Sequence, residues 1–143
     1  MNIDKYVTNI RNRGQLVIKE LGPISGITFG FNKESVRWVE GYIERCRNAG
    51  EKEGDFDGLI NSLGSFLGEC IVKNAGGEWR WFEEQQTIGV VLPTGDGVFP
   101  FAKTRKQFAK GLRGGDSVYS FYDIAVNFMA NGLLQNAKPV PRG

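Results

Sequence analysis

The sequence contains no histidine and only two cysteines, Cys46 and Cys70. The lack of histidine removes the most common general base, the most common metal ligand and every catalytic triad that uses histidine. Because the chain also lacks a C-x-x-C motif, we expect no structural zinc site, and we expect no other metal and no cofactor. Each cysteine lies on the apolar face of a predicted helix. We therefore interpret both as small buried side chains rather than as a disulfide or a nucleophile.

Long hydrophobic runs and a large excess of one charge are also absent. No run approaches the roughly 20 apolar residues that span a bilayer, and residues 1–5 lack the layout of a signal peptide. Together with free thiols, these features predict a cytoplasmic protein that does not bind membranes. The 18 basic and 16 acidic side chains give a net charge of +2, which neither requires nor excludes a polyanionic partner.

Apolar residues are abundant enough for a folded domain. They make up 41% of the 143 residues and include ten Phe, four Tyr and three Trp. This length and composition predict one domain that needs no metal or disulfide for stability. We place that domain at residues 1–134. Residues 135–143 contain two prolines and no apolar pattern, so we interpret them as a flexible C-terminal tail.

Apolar residues recur at helical spacing in five segments. The first helix is expected at residues 3–21 and the fourth at about residues 102–112. The second is expected to run from a cap at residue 32 or 35 to about residue 48, and the third from a cap at residue 55 or 57 to residue 75. The fifth is expected to start at a cap at residue 116 or 117 and to include residue 129. The first is expected to end at Gly22-Pro23, although residues 15–21 could instead form a strand. The expected N-caps of the second, third and fifth helices are, in order, Asn32 or Ser35, Asp55 or Asp57, and Asp116 or Ser117.

The third helix is apolar over more than half of its circumference, which predicts a central position. Gly64 and Gly68, one turn apart, would let another element approach it closely. After this helix, residues 78–84, 87–92 and 98–99 have strand character and are separated by turn residues. The predicted fold class is α+β, with about five helices packed on one face of a short three-stranded antiparallel meander.

The fourth predicted helix carries a basic stripe. Its members, spaced three and four residues apart, are Lys103, Lys106, Lys110 and Arg113. No acidic residue lies between Asp96 and Asp116, so the stripe is uninterrupted in sequence. Such a stripe can contact an acidic protein or phosphate groups. More commonly, it is only the solvated face of an amphipathic helix.

Arg105 falls on the inward face of the same helix, where a lone guanidinium would be very costly to bury. Its candidate partners are Glu69, Glu78 and Asp116. A buried ion pair between Arg105 and Glu69 is one interpretation. The alternative is that Arg105 lies at the helix edge and only its stem packs. Glu69 could itself be an isolated acid near the glycines of the third helix, or an ordinary ion-pair partner.

Trp79 and Trp81 share one face of the first predicted strand. If exposed, they would form an aromatic platform with Trp38 for a ligand or a nucleobase. If buried, they would pack against the helices, which a short sheet with one apolar face favours.

No set of residues specifies a reaction. The adjacent glutamates at 83 and 84 point to opposite faces of a predicted strand. The acidic segment 51–57 lacks the calcium-loop pattern. The glycine-rich segment 111–117 lacks the Walker order of Lys and Ser/Thr. We therefore expect no catalytic residues, and the sequence favours a non-enzyme without excluding an enzyme.

Three stretches carry a family resemblance. They are FGF-x3-SV-x-W at residues 29–38, LG-x-FLGE followed by GGEW at residues 63–79, and FPFAK-x-RKQF at residues 99–108. They resemble a family of small bacterial proteins catalogued only as a domain of unknown function. The resemblance covers about residues 29–122 and implies a bacterial origin. It implies no catalytic residues.

These observations predict a non-enzymatic protein-binding or regulatory module that docks an acidic protein partner through the basic stripe. One alternative is weak nucleic-acid binding through residues 102–113 and exposed tryptophans, against which the near-neutral net charge counts. Another is an enzyme of unrecognised type that uses Glu69 and Arg105 in a cleft. A toxin-neutralising role is compatible with the small size by analogy alone. The oligomeric state is not indicated.

Overall fold

The computed structural model describes residues 2–49 and 56–130. Within them the elements are α1 (Ile3–Ser25), α2 (Lys33–Asn48), α3 (Asp57–Ala75), β1 (Glu78–Phe82), β2 (Thr87–Val91), β3 (Gly97–Val98), α4 (Pro100–Lys110) and α5 (Val118–Ile124). A 3-10 turn, Leu112–Gly114, precedes α5, and a π-helical turn, Ala125–Met129, continues it. The predicted α+β class is confirmed, with five α-helices packed against a small meander. The predicted tail, residues 135–143, lies outside the described residues.

The sheet is the predicted antiparallel meander, with strand order β1-β2-β3. Trp79 pairs with Val90, and Val90 pairs with Val98, so the three side chains form one buried row. The third strand is only two residues long because Pro100 begins α4. Proline is well suited to a first helical position, since its missing N–H would have no partner there.

Helix α3 lies at the centre of the core, as its sequence predicts. Ten of the twelve residues from Ile60 to Ile71 are buried. A Cβ at Gly64 would be 2.5 Å from Phe101 Cδ1, and a Cβ at Gly68 would overlap the Trp79 ring. The two glycines therefore allow α4 and the sheet to contact the helix backbone closely.

Two predicted helix limits are wrong. Helix α1 continues through Gly22-Pro23 to Ser25 and ends at Gly26, whose φ of 75° is left-handed. Pro23 cannot donate a helical hydrogen bond, but only two helical residues follow it, so the disruption is confined to the last turn. Residues 15–21 are therefore helical and not a strand. Helix α4 begins and ends two residues earlier than predicted, since Gly111 adopts a φ of 70°.

Two of the expected caps are confirmed. Asn32 accepts a hydrogen bond from the Ser35 amide, and Ser117 accepts one from the Ser120 amide, both at 2.9 Å. The third helix has no side-chain cap, and Asp57 lies inside its first turn. The alternative cap, at residue 55, lies outside the described residues.

Neither cysteine is in a disulfide; Cys70 is completely buried and Cys46 is half-buried. Burial raises the pKa of the Cys70 thiol, and the neighbouring Glu69 charge raises it further. The thiol is therefore protonated and poorly suited to act as a nucleophile. Of the helices in residues 2–49 and 56–130, none combines the length and hydrophobicity needed to span a bilayer.

Candidate functional site

Lys103, Lys106 and Lys110 of the basic stripe lie on α4, whereas Arg113 lies in the 3-10 turn that follows and not in the helix as predicted. The four residues together are called here the basic face of α4, which is distinct from the buried side of that helix. The buried side consists of Pro100, Thr104, Gln107 and Phe108. Lys106, Lys110 and Arg113 are exposed to solvent. None of the three forms an ion pair or a hydrogen bond with a side chain in the described part of the protein. These three cations can therefore contact a partner.

Lys103, the fourth member of the stripe, is partly buried and pairs with a carboxylate of the protein itself. Its Nζ lies 3.0 Å from Asp116 Oδ1, and its side chain is 23% exposed. This hydrogen bond lowers the pKa of the Asp116 carboxyl, and the charges of Lys110 and Lys106 lower it further. Asp116 thus attracts all three lysines, but only Lys103 is close enough to bond it. Lys103 joins α4 to the segment before α5.

Gln107 ties α4 to its two helical neighbours. Its Nε2 donates to the Glu40 carbonyl at 3.1 Å and to Glu44 Oε2 at 2.9 Å, both on α2. Its Oε1 accepts from the Val118 amide of α5 at 3.0 Å. All hydrogen-bonding groups of this buried side chain are engaged on rigid elements. The basic face of α4 is consequently presented by a fixed helix.

The predicted buried ion pair between Arg105 and Glu69 is wrong. Arg105 is 54% exposed, and its Nη1 lies 3.2 Å from Asp57 Oδ1 at the start of α3. Apolar residues alone suggested an inward position for Arg105. The true inward side includes the polar residues Thr104 and Gln107, which are buried because hydrogen bonds satisfy them. This orientation of α4 turns Arg105 towards solvent, and Leu112, in the 3-10 turn after the helix, is also exposed.

Glu69 is instead buried against the sheet, with an exposed fraction of 3%. Its Oε2 accepts the indole N–H of Trp79 at 2.9 Å, and its Oε1 lies 3.9 Å from Lys73 Nζ. Arg105 contacts α3 twelve residues earlier, which is roughly 18 Å along the helix axis at about 1.5 Å per residue. The two residues do not share a cleft, so the enzyme hypothesis built on them is not supported.

The three tryptophans do not form a common platform. Trp79 is buried, with its ring centroid 5.8 Å from that of Phe101. Trp81 is 36% exposed, and its indole donates to Glu83 Oε2 at 2.7 Å. Trp38 lies on α2 and stacks on Tyr42 with centroids 5.4 Å apart. The interpretation of Trp79 as packed is confirmed, whereas the platform that also required Trp38 is wrong.

A cation–aromatic cluster on α2 was missed by the sequence analysis. The Arg45 guanidinium lies 5.1 Å from the Trp38 ring centroid, and that of Arg37 lies 4.1 Å from the Tyr119 ring. The spacing of Trp38, Tyr42 and Arg45 places them on one side of a helix, which the sequence could have indicated. Tyr119 comes from α5, so its contact depends on the tertiary structure.

Within the described ranges 2–49 and 56–130, no three His, Cys, Asp or Glu side chains are grouped as a metal site requires. The candidate site is the exposed surface formed by Lys106, Lys110 and Arg113. The chain was also compared with protein-family models, with curated proteins and with solved structures. None of these comparisons finds a match, so the bacterial family suggested by the motifs stays a prediction.

Proposed function

We propose that this protein is a protein-binding module that docks an acidic partner through Lys106, Lys110 and Arg113. The supporting observation is the contrast among the cations around α4. Lys103 and Arg105 pair with carboxylates, while the three exposed cations have no acidic partner among the described residues. An acidic protein surface would supply the missing opposite charge and would guide association.

Hydrogen bonds to neighbouring helices hold α4 in place, which favours a binding surface over a helix face that only contacts water. Gln107 bonds α2 and α5 from within, and the Arg47 Nε–H donates to the Phe108 carbonyl at 3.0 Å. A surface held in this way loses little conformational freedom when a partner binds. The free thiols and the motif resemblance further suggest that this docking takes place in the cytoplasm of a bacterium.

An affinity capture with three baits tests the proposal. The baits are the wild-type protein, a Lys106→Glu/Lys110→Glu variant and an Arg11→Glu/Lys19→Glu variant. Arg11 and Lys19 are exposed on α1, so the third bait has the same change in net charge at a different place. Each captured protein is then purified, and its affinity for each bait is measured by calorimetry at low and high salt.

We expect at least one acidic protein to bind the wild type and the Arg11→Glu/Lys19→Glu variant with similar affinity. The same protein should bind the Lys106→Glu/Lys110→Glu variant at least about tenfold more weakly, because charge complementarity is reversed. Its affinity for the wild type should fall with added salt, because exposed charges are screened. The proposal is contradicted if all three baits bind the same proteins equally well. Loss of the captured material after nuclease treatment would instead indicate the nucleic-acid alternative.

A further inference from the structure

A groove of about 360 Å³ lies between the first half of α1 and the start of β2. Small-molecule sites typically have volumes of about 300–1,000 Å³, so this groove is large enough for a small ligand. Its apolar floor consists of Ile10, Ile88 and Phe101. The ring of Phe101 packs against α3 at Gly64, where an added Cβ would lie 2.5 Å from Phe101 Cδ1. The floor offers a surface on which an apolar or aromatic group can pack.

Helix α1 contributes a line of polar groups to the same groove. Tyr6, Asn9 and Arg13 line it together with Ile10, and the spacing of three and four residues places all four on one helix face. Asn61 of α3 adds a second carboxamide. A phenol, two carboxamides and a guanidinium thus surround the apolar floor. A few polar groups around an apolar surface are the usual composition of a binding pocket.

The groove carries a positive charge that the described chain does not balance. Among residues 2–49 and 56–130, no Asp or Glu lines it, and Arg13 forms neither an ion pair nor a hydrogen bond. By contrast, Arg47 and Arg80 each pair with a carboxylate. The side-chain amides of Asn9 and Asn61 are likewise uncommitted there. A guanidinium binds a carboxylate through two parallel hydrogen bonds, and the Arg13 guanidinium is exposed and available for such contacts.

We propose that this groove binds a small organic monocarboxylate. The Arg13 guanidinium holds the carboxylate, the amides of Asn9 and Asn61 donate further hydrogen bonds, and the apolar body of the ligand lies on the floor. A single guanidinium balances a single negative charge, which favours a carboxylate over a phosphate monoester of about −1.5 to −2. The groove is separate from the basic face of α4, so this proposal does not depend on protein docking.

Titration of the 15N-labelled full chain by NMR tests this site. The probes are benzoate, 4-phenylbutyrate, indole-3-acetate and octanoate, with 4-phenylbutyramide as the neutral counterpart and phenyl phosphate as the dianionic one. The signals to follow are the Arg13 Nε–H and the side-chain amides of Asn9 and Asn61. We expect at least one carboxylate to shift these signals saturably, and the neutral amide to leave them unchanged.

Two variants of α1 make the test specific. Arg13→Gln should weaken carboxylate binding about tenfold or more, because it removes a charge-assisted contact. Arg11→Gln removes an exposed arginine of the same helix that does not line the groove, and should bind as the wild type does. The spectra of both variants report directly whether they are folded.

Four results would overturn the proposal. They are no saturable shift with any of the four carboxylates, equal binding of the neutral amide, tighter binding of phenyl phosphate, and unchanged affinity in the folded Arg13→Gln variant. The first would leave the groove without a carboxylate ligand. The second and fourth would show that Arg13 does not select charge. The third would assign the groove to a different class of anion.

Discussion

At Gly68, the lack of a side chain lets Trp79 pack directly against α3. A Cβ at this position would overlap the Trp79 ring and would lie 3.2 Å from Pro100 Cγ. The close approach also brings the Trp79 indole to Glu69, so that a buried donor and a buried acceptor satisfy each other. The absence of a Cβ at residue 68 therefore determines how closely the sheet approaches α3.

We expect Gly68→Ala to lower the free energy of unfolding by about 1–3 kcal/mol, because overpacking forces the Trp79 ring out of place. The control is Gly58→Ala in the same helix, where an added Cβ would have no neighbour within 4 Å. That change should be neutral or stabilising by up to about 1 kcal/mol. Urea unfolding measures both variants, and equal stability would mean that Trp79 does not pack on residue 68.

At the scale of elements, α2, α4 and α5 are joined by buried polar contacts. Gln107 bonds to α2 and α5, and Lys103 bonds to Asp116 just before α5. Ser117 adds a hydrogen bond from its hydroxyl to Glu40 Oε2. These contacts orient the basic face of α4. Apolar packing alone would not define the rotation of α4 so specifically.

We expect Gln107→Leu to destabilise the protein by about 1–3 kcal/mol. Leucine fills a similar volume, but it leaves the buried Val118 amide without its acceptor. The Val118 amide should also exchange its hydrogen faster. Gln15→Leu on the exposed side of α1 is the control, with an expected change within about 0.5 kcal/mol. If the Val118 amide hydrogen exchanges at the same rate in Gln107→Leu as in the wild type, the hydrogen bond from Val118 to Gln107 does not join α5 to α4.

The contact between Lys103 and Asp116 predicts a dependence of stability on pH. The pKa of Asp116 is lowered in the folded state, first by its hydrogen bond from Lys103. Its contribution is therefore complete above about pH 4, the ordinary range of an Asp carboxyl, and is lost as pH falls through the lower folded-state pKa.

We expect Asp116→Asn to be less stable than the wild type at pH 7. The difference should shrink below about pH 4, because the Asp116 carboxyl becomes protonated there in the unfolded chain, and in the folded protein only at lower pH. Urea unfolding at several pH values measures this difference. Lys103→Met should reduce stability over the same pH range, because it removes the main partner of Asp116. A difference between Asp116→Asn and wild type that stays constant to low pH would rule out this contribution.

At the scale of the whole molecule, α3 supports almost every other element. Phe66 is completely buried, and its ring centroid lies 5.3 Å from that of Phe29 and 5.5 Å from that of Phe31. It thereby connects α3 to the segment between α1 and α2. The sheet and α4 contact the same helix at Gly68 and Gly64. This central position predicts that the parts of the protein unfold together.

We expect Phe66→Ala to cost about 3–5 kcal/mol, as large-to-small changes in a core do. Tryptophan fluorescence and far-UV circular dichroism of the wild type should follow one urea transition. The variant should shift both signals to lower urea by the same amount. Separate transitions for the two signals would argue against the single domain predicted from the length of the chain.

Much of the fold was predictable because the relevant signals are local. The apolar arc of α3, its two packing glycines and the caps at Asn32 and Ser117 are visible in short stretches of sequence. The limits of α1 were harder to predict, since Gly22-Pro23 usually ends a helix. Here Pro23 is accommodated in the last turn, and the left-handed Gly26 ends the helix instead.

The candidate sites were less predictable because they combine distant segments. The stripe of α4 follows from spacing, but the pairing of Lys103 depends on where Asp116 lies. The outward position of Arg105 was missed because Gln107 is buried, which its hydrogen bonds to α2 and α5 permit. In the groove, the line from Tyr6 to Arg13 is periodic in sequence, whereas Asn61 comes from another helix.

The sequence by itself determined the order of the helices and strands, the central place of α3 and the stripe of cations on α4, because these depend on periodicity and on residue size. Only the tertiary structure decided which charges are neutralised, which tryptophan is buried and where a polar groove forms. Those outcomes depend on the approach of side chains that are far apart in sequence. Helical spacing predicts which face of a helix a side chain lies on, but it does not predict which other element that face contacts.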